Sequence, residues 1–310
     1  CRTTHITFHM ADPQGKAKVQ HLSWRAGFGA GPAYINSWDH RRWNKFMEQI
    51  LRGGGKAPVS IEVPEATMSQ NVEMARGSGQ SADERKARRR NNADGMRNLN
   101  LAWMDQMCTT DHPLREKMSL FWHGHFACRV NEVRQNQLML DVIRQHALGS
   151  FRDLLFGVSK SAAMLRFLNN QQNRKQHPNE NFGREVMELF TMGRGNYTEK
   201  DVKEGSRAFT GWGYDKQGQF VFRRRQHDEG VKTFLGKTGN FDGDDILDII
   251  LEQQATAQHI TGKICRFFVN DNPDPQEVSR LADRFYQGGY HIGSLMEDIF
   301  RSDWFYAAEN

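Results

Sequence analysis

Residues 178–193 read PNENFGREVMELFTMG, and the spacing within this stretch decides the class of fold. Apolar side chains recur at Phe182, Val186 and Leu189, which is the three-to-four-residue spacing of one helix face. An amide-rich loop leads into the stretch, and Gly193 ends it as a C-terminal cap. The stretch therefore predicts an amphipathic helix whose buried stripe is formed by Phe182, Val186 and Leu189.

The predicted helix at 181–192 also carries two carboxylates. At about 100° per residue, Val186 and Leu189 fall within about 40° of Phe182, whereas Glu185 lies about 60° and Glu188 about 120° away. Glu185 is therefore expected to border the core, and Glu188 to lie at the edge of the apolar stripe. An unpaired buried carboxylate is costly, so Glu185 needs a cation, a metal ion, hydrogen bonds or a raised pKa.

Two interpretations of Glu185 remain open at this point. In the first, an arginine such as Arg207 or Arg184 forms a buried ion pair with Glu185 and holds helices together. In the second, Glu185 belongs to a ligand or acid/base site and shares its partner with Glu188, one turn away. Contact with His125 would suit either interpretation.

Helical patterns also dominate the rest of the chain. We predict one helix from Pro32 to the glycines at 53–55, and others at 98–108, 113–126, 132–147, 150–157, 159–168, 198–210, within 242–269 as a pair, at 275–289 and at 291–302. A turn at Asp215–Gly218 followed by alternating Phe220 and Phe222 is the one strong β signal. The prediction is a mainly α, multi-helix single domain over 1–310, with a small β hairpin insertion at about 213–235.

Composition excludes some classes of protein. The 20 Phe and 7 Trp argue against disorder, and no stretch reaches the roughly 18–20 apolar residues of a membrane helix. The net charge of +5 does not by itself indicate a nucleic-acid partner, because such a partner needs a basic face. The densest basic run, DERKARRRNN at 83–92, is expected to be a solvated and flexible surface segment, with adhesion to anionic glycans through 85–90 as the alternative.

The four cysteines match no zinc-binding spacing. A disulfide between Cys108 and Cys128 is left open for an oxidising compartment. Cys1 stands where a bacterial lipoprotein carries its lipidated cysteine, and a boundary of the sequence explains that residue equally well.

Two histidine motifs are candidates for chemistry. In FWHGHFAC, the predicted helix at 113–126 places His125 on the apolar face and His123 on the opposite side. In RRRQHDEG, His227 and Asp228 follow the β segment, either as a surface pair or as part of a site.

A third motif, NFDGDD at 240–245, resembles the start of a calcium loop. The glycine and the final glutamate of such a loop are missing, so helix capping by these aspartates is the better explanation.

Five segments occur in a recognisable order: HLSWRAGFGAGP, LFWHGHFAC, PNENFGREVMELFTMGRGNYTEKDVKEGSRAFTGW, HDEGVKTFLGKTG and IFRSDWFY. Together they resemble the bacterial family known as domain of unknown function 1800, from about residue 20 to the end, and they look most like its Bacteroidetes members. The resemblance implies an exported, mostly helical protein, often encoded beside exported proteins that look like sulfatases and alkaline phosphatases. Members usually continue with further C-terminal helices, so part of the family fold is expected to be absent here.

The polar residues that match the family pattern are His123, His125, Asn179, Asn181, Arg184, Glu185, Glu188, Arg207, Trp212, His227 and Asp228. Many relatives have a histidine where this chain has Phe190, and an asparagine is common at the position of Gly124. If that histidine is a metal ligand in relatives, this chain lacks it, which weakens the expectation of a metal centre.

These patterns lead to two hypotheses. The first is an enzyme that is secreted, periplasmic or associated with the outer membrane and acts on a polar extracellular substrate such as a glycan. It would use acid/base chemistry or a bound divalent metal ion. Its expected catalytic residues are Glu185, Glu188, His125, His227 and Asp228. Its expected substrate-binding residues are Asn179, Asn181, Arg184, Arg207 and Trp212. The alternative is a non-enzymatic helical partner of a sulfatase-like exported protein in an envelope complex.

Overall fold

The computed structural model describes residues 13–51, 57–62, 81–307 and 310. It confirms the prediction of a mainly α protein. Within these ranges lie fourteen α-helices: α1 (Pro13–Arg25), α2 (Pro32–Asn36), α3 (Trp43–Leu51), α4 (Ala82–Thr109), α5 (Pro113–His125), α6 (Val133–His146), α7 (Phe151–Ser159), α8 (Ala162–Phe167), α9 (Glu180–Glu185), α10 (Glu199–Ala208), α11 (Gly243–Leu251), α12 (Gln254–Phe268), α13 (Pro275–Gln287) and α14 (Ile292–Arg301). Short 3₁₀ turns lie at His40–Arg42, Asn170–Gln172, Arg224–Gln226 and Trp304–Tyr306.

Side-chain caps fix the start of several helices. The predicted capping box of Thr198 and Asp201 is present at the start of α10. The Asp242 carboxylate accepts the amides of Asp244 and Asp245 at 2.8 and 3.2 Å at the start of α11. This geometry confirms helix capping as the role of the aspartates at 242–245.

Two local predictions are wrong. The basic run at 83–92 lies largely on the surface, as expected, but it is the first part of α4 and not a flexible segment, because Ser81 and Glu84 form a capping box there. The single helix expected from Pro32 is split into α2, a 3₁₀ turn and α3. The Asp39 carboxylate accepts the amide of Arg41 at 3.0 Å, which starts a new turn after the chain has left α2.

The β structure consists of two antiparallel hairpins in the described part of the chain. β1 (Trp212–Tyr214) pairs with β2 (Phe220–Phe222), which confirms the predicted hairpin. β3 (Lys232–Phe234) pairs with β4 (Lys237–Gly239), so the β region extends beyond the predicted limit at 235.

One continuous apolar cluster occupies the centre of the described structure. Its largest fully buried side chains include Trp122, Phe126, Phe151, Phe182 and Phe268, which come from four separate parts of the chain: the end of α5, α7, α9 and α12. A smaller cluster between α4 and α6 contains Leu99, Trp103, Val133 and Leu140. The single-domain boundary at 1–310 stays a prediction.

A buried ion pair lies beside the smaller cluster. Glu116 on α5 and Arg144 on α6 approach to 2.8 Å, and 2% of each side chain is exposed. The indole of Trp103 donates to the same carboxylate at 2.9 Å, and Arg144 donates to the Val59 carbonyl at 2.6 Å. The pair therefore joins α4, α5, α6 and the segment 57–62.

No helix in the described ranges has both the length and the apolar composition needed to cross a membrane. Cys108 and Cys128 are free thiols, so the disulfide left open between them is not formed. Cys108 is exposed on α4, whereas Cys128 is half-buried after α5. Cys1 lies outside the described residues.

Candidate functional site

The helix that begins as α9 changes to a π-helix at Val186–Thr191. The Met192 amide donates to the Met187 carbonyl at 3.0 Å, five residues back. A π turn holds more residues than an α turn, so the rotation about the helix axis per residue is smaller. Each side chain after Val186 therefore points in a different direction from that expected for an α-helix. The prediction that Leu189 is buried is therefore wrong. Leu189 is 45% exposed, and Phe190, at 4%, faces the core in its place.

Glu188 is held by two groups just beyond the π-helix. Arg194 donates to its carboxylate at 2.5 Å, and the Tyr197 hydroxyl donates at 2.8 Å. The chain reverses at Gly193, whose φ of +77° favours glycine, and this brings both partners back over Glu188. The hydrogen bond from Arg194, followed by that from Tyr197, lowers the pKa of Glu188.

Glu185 has the opposite environment. Its side chain is half-buried, and no hydrogen bond or ion pair in the described chain reaches its carboxylate. Burial, followed by the nearby charge of Glu188, raises the pKa of Glu185. Two carboxyl groups close together on one helix thus have pKa values shifted in opposite directions.

The arginines expected to pair with Glu185 bind other partners. Arg184 donates to Glu199 through two bonds of 2.8 Å and to Glu180 at 3.2 Å. The ion-pair interpretation of Glu185 is therefore wrong for Arg184, because its carboxylate partners lie on α9 and α10.

Arg207 is likewise engaged elsewhere. It donates to Asp228 at 2.8 Å and to Glu204 at 2.9 Å. The ion-pair interpretation is wrong for Arg207 too, because this side chain lies near the C-terminal end of α10, where the loop at 227–230 meets it.

His125 contacts the backbone of the π-helix and not the glutamates. Its Nε2 donates to the Phe190 carbonyl at 3.1 Å, and Lys263 on α12 lies 3.3 Å from its Nδ1. Lys263 also donates to the Leu189 carbonyl at 3.1 Å. Burial, then the charge of Lys263, lowers the pKa of His125 to about 3. The ring is thus a neutral donor that fixes the position of the π-helix.

His259 is the second histidine in this group. Burial, then the charge of Lys263, lowers its pKa to about 4, and the Leu189 carbonyl opposes that shift. Sequence reasoning missed both His259 and Lys263. Their spacing of four residues on α12 places them on one helix face, but it carries no sign of a partner some 70 residues away in the chain.

Phe190 packs against this group. Its ring centroid lies 5.4 Å from that of Phe126 and 6.2 Å from that of His125. His123 lies on the opposite, exposed side of α5, as predicted, with its ring 5.2 Å from Trp103.

His227 and Asp228 form a separate group around the end of α10. The Nδ1 of His227 lies 2.9 Å from the Thr210 carbonyl. Asp228 accepts from Arg207, and from the Gly230 amide at 2.8 Å. The hydrogen bond from Arg207 is the main cause that lowers the pKa of Asp228.

The five expected catalytic residues therefore occupy three places. Glu188 binds Tyr197, which lies just before the start of α10 at Glu199. Asp228 binds Arg207, near the other end of the same helix. Arg207 is eight residues beyond Glu199, or about 12 Å along the helix axis. Within the described ranges, no hydrogen bond or ion pair connects Glu185 with His125 or His227. The catalytic roles of all five residues stay a prediction.

The other expected binding residues make contacts that hold the fold. The Asn179 side chain caps α9 by accepting the Asn181 amide at 3.0 Å. Asn181 donates to the Leu168 carbonyl at 3.3 Å. Trp212 is buried with its ring centroid 5.1 Å from that of Phe209. Their role in substrate binding stays a prediction.

No group of three or more His, Cys, Asp or Glu residues in the described parts of the chain is arranged to hold a metal ion. The two glutamates place a carboxyl group of raised pKa next to one of lowered pKa. Opposed shifts of this kind occur in the carboxyl pairs of acid/base enzymes.

Comparison with known proteins identifies a family. The model of the family described as "Protein of unknown function (DUF1800)" matches residues 21–310. Neither the curated proteins nor the solved structures include a significant match. The match covers more than nine-tenths of the sequence, and the chain belongs to the DUF1800 family.

Proposed function

We propose that this protein is an acid/base enzyme in which Glu185 is the proton donor and Glu188 the ionised partner. One observation carries the proposal: two neighbouring carboxyl groups, on either side of the start of a π-helix, have pKa values shifted in opposite directions. Such opposed shifts distinguish the acid from the base in carboxylate pairs. π-helical turns are themselves frequent at functional sites.

The contacts of each group support its role. No hydrogen bond or ion pair in the described chain holds the Glu185 carboxylate ionised, and its raised pKa favours the protonated form that a proton donor needs. Arg194 and Tyr197 hold Glu188 ionised, which suits a group that stabilises positive charge or orients water. A proton donor beside an ionised carboxylate is suited to hydrolysis or elimination. In a metal-assisted version, the same two carboxylates would be protein ligands.

The setting of the pair suggests the class of substrate. Arg194 is 86% exposed beside Glu188, so the pair is reached from the protein surface. A surface site with carboxylates, arginine and tyrosine suits a long polar molecule such as a glycan. The resemblance to an exported family supports a location in the envelope or outside the cell.

The test compares Glu185→Gln with Glu199→Gln, an exposed glutamate control bound to Arg184 close by. Both variants and the unchanged protein are assayed on a panel of polysaccharides, and their melting temperatures are measured. Loss of a general acid costs about 10²–10⁴-fold in rate, so Glu185→Gln should lose nearly all activity at an unchanged melting temperature, and the control should not.

A second variant tests the coupling between the two groups. Because the charge of Glu188 contributes to the raised pKa of Glu185, Glu188→Gln should lower that pKa and move the alkaline limb of any pH–rate profile to lower pH. Full activity of Glu185→Gln, or unfolding of that variant without the control unfolding, would refute the catalytic assignment.

An assembly role is the second candidate, and the surface of α4 favours it. Leu101 and Met104 are exposed, and Cys108 continues their line along one helix face. Such a stripe suits a helical partner, for example a sulfatase-like exported protein. Native purification with mass spectrometry should then show a stoichiometric partner that Leu101→Glu releases. A lone monomer would count against this role.

A further inference from the structure

A cleft of about 890 Å³ lies beside His227 and Asp228, away from Glu185 and Glu188. Two loops form it: the segment around Lys175 and the turn that follows β2. The Lys175 amide donates to the Gln226 carbonyl at 2.9 Å, and the Gly211 amide donates to the Asn173 carbonyl at 3.1 Å. Backbone bonds thus tie both walls to the end of α10.

His227 forms the inner wall of this cleft. Its side chain is almost fully enclosed, with 6% of the residue exposed. A carbonyl oxygen can only accept, so the 2.9 Å contact with Thr210 requires that Nδ1 carries a proton. In the neutral ring, Nε2 is then an acceptor. The hydrogen bonds of His227 to the described residues all involve Nδ1, so Nε2 is the polar ring atom left for a ligand.

Positive charge surrounds this acceptor. The exposed side chains of Lys175 and Arg225 line the cleft, and neither forms a hydrogen bond or a salt bridge in the described chain. The carboxylates of the lining are already engaged. Glu229 binds Arg224 at 2.8 Å, and Asp228 binds Arg207. The cleft therefore offers two cationic side chains without a hydrogen-bonded counterion, beside the acceptor nitrogen of His227.

We propose that this cleft binds an anionic group that carries an O–H donor next to its negative charge. Lys175 and Arg225 would neutralise the anion, and Nε2 of His227 would accept the hydroxyl proton. Monohydrogen phosphate meets both conditions, and so does the carboxylate of a sugar acid with its neighbouring hydroxyl. Sulfate meets only the first, because it carries no proton. This site stands on the cleft alone and does not depend on the roles of Glu185 and Glu188.

Calorimetric titration of the full chain with inorganic phosphate and with sulfate, at pH 8 and fixed ionic strength, tests the proposal. Phosphate is then chiefly the monohydrogen dianion. We expect one phosphate to bind per chain. The affinity for sulfate should be at least about tenfold lower, because a sulfate oxygen and Nε2 of His227 are both acceptors and cannot form a hydrogen bond. Equal binding of the two anions would overturn the role of Nε2. A parallel titration with glucuronate separates a sugar acid from a phosphorylated group as the natural ligand, and binding of neither phosphate nor glucuronate overturns the proposal.

Variants locate the binding. Lys175→Ala and Arg225→Ala should each weaken phosphate binding about tenfold, whereas Lys216→Ala, an exposed lysine outside the cleft, should leave it unchanged. His227→Asn keeps a side-chain donor toward the Thr210 carbonyl but removes Nε2, so it should abolish the preference for phosphate over sulfate. Phosphate binding that survives in the Lys175→Ala and Arg225→Ala double variant would lie elsewhere and would refute the site.

Discussion

Removing the buried carboxylate of Glu116 should destabilise this protein more than any change at a surface ion pair. Glu116→Ala leaves the guanidinium of Arg144 enclosed with only the Val59 carbonyl, at 2.6 Å, as a hydrogen-bond acceptor in the described chain. It also leaves the indole N–H of Trp103 without its acceptor. The substitution therefore leaves a buried charge and a buried donor without their carboxylate partner.

The magnitude follows from this geometry. Breaking a buried ion pair from one side costs about 3–5 kcal/mol, because the remaining charge is uncompensated. The free energy of unfolding of a typical domain is about 5–15 kcal/mol, so Glu116→Ala should remove a large part of it. Replacing both partners with Met removes the stranded charge, and the double variant should be more stable than Glu116→Ala.

Urea denaturation of each variant measures the effect. The midpoint should fall strongly for Glu116→Ala at an unchanged slope. The control is Glu297→Ala, which breaks an exposed pair with Arg301 on α14 and should cost less than about 1 kcal/mol. If Glu116→Ala costs no more than Glu297→Ala, or if the double variant is the least stable, the argument from burial is wrong.

Two further predictions concern the neighbours of the π-helix. The pKa values of His125 (about 3) and His259 (about 4) lie below the ordinary value of 6.5, so the unfolded chain binds protons that the folded chain does not. Stability should therefore be complete above about pH 6.5 and fall toward pH 4, by up to about 1.4 kcal/mol per pH unit for each histidine. Urea titrations at several pH values should show a shallower fall in His259→Gln, and an unchanged slope would contradict the assignment. Gly193→Ala and Gly195→Ala both force a side chain to positive φ, at about 1–2 kcal/mol. Gly193→Ala should cost more, because its Cβ would lie 2.7 Å from Nδ1 of His259 whereas nothing lies within 4 Å at Gly195, and equal costs would contradict that contact.

Most of the fold could be predicted from short-range patterns in the sequence. The helical periodicity, the capping box at Thr198 and Asp201 and the aspartate cap of α11 act over three to four residues, so the sequence shows them directly. The alternation of Phe220 and Phe222 likewise predicted the first hairpin. These interactions depend on neighbours in the chain, and tertiary packing did not override them.

The site was harder to predict, for two physical reasons. A periodicity argument assumes one rotation per residue along the whole helix, and the π turn breaks that assumption at Leu189 and Phe190. The second reason is that the cations around this helix come from elsewhere. Lys263 reaches it from α12, and Arg194 reaches Glu188 through a reversal at Gly193. No local pattern in the sequence reports such contacts.

The π turn also makes this site sensitive to the length of the helix and not only to its composition. The π turn holds one residue more than an α turn. This extra residue lets Glu188 contact Arg194 on the outer side of the helix while Phe190 contacts Phe126 on the inner side. Deleting a single residue between 186 and 191 would convert the π turn to an α turn, and the side chains on the two sides would no longer reach their partners together.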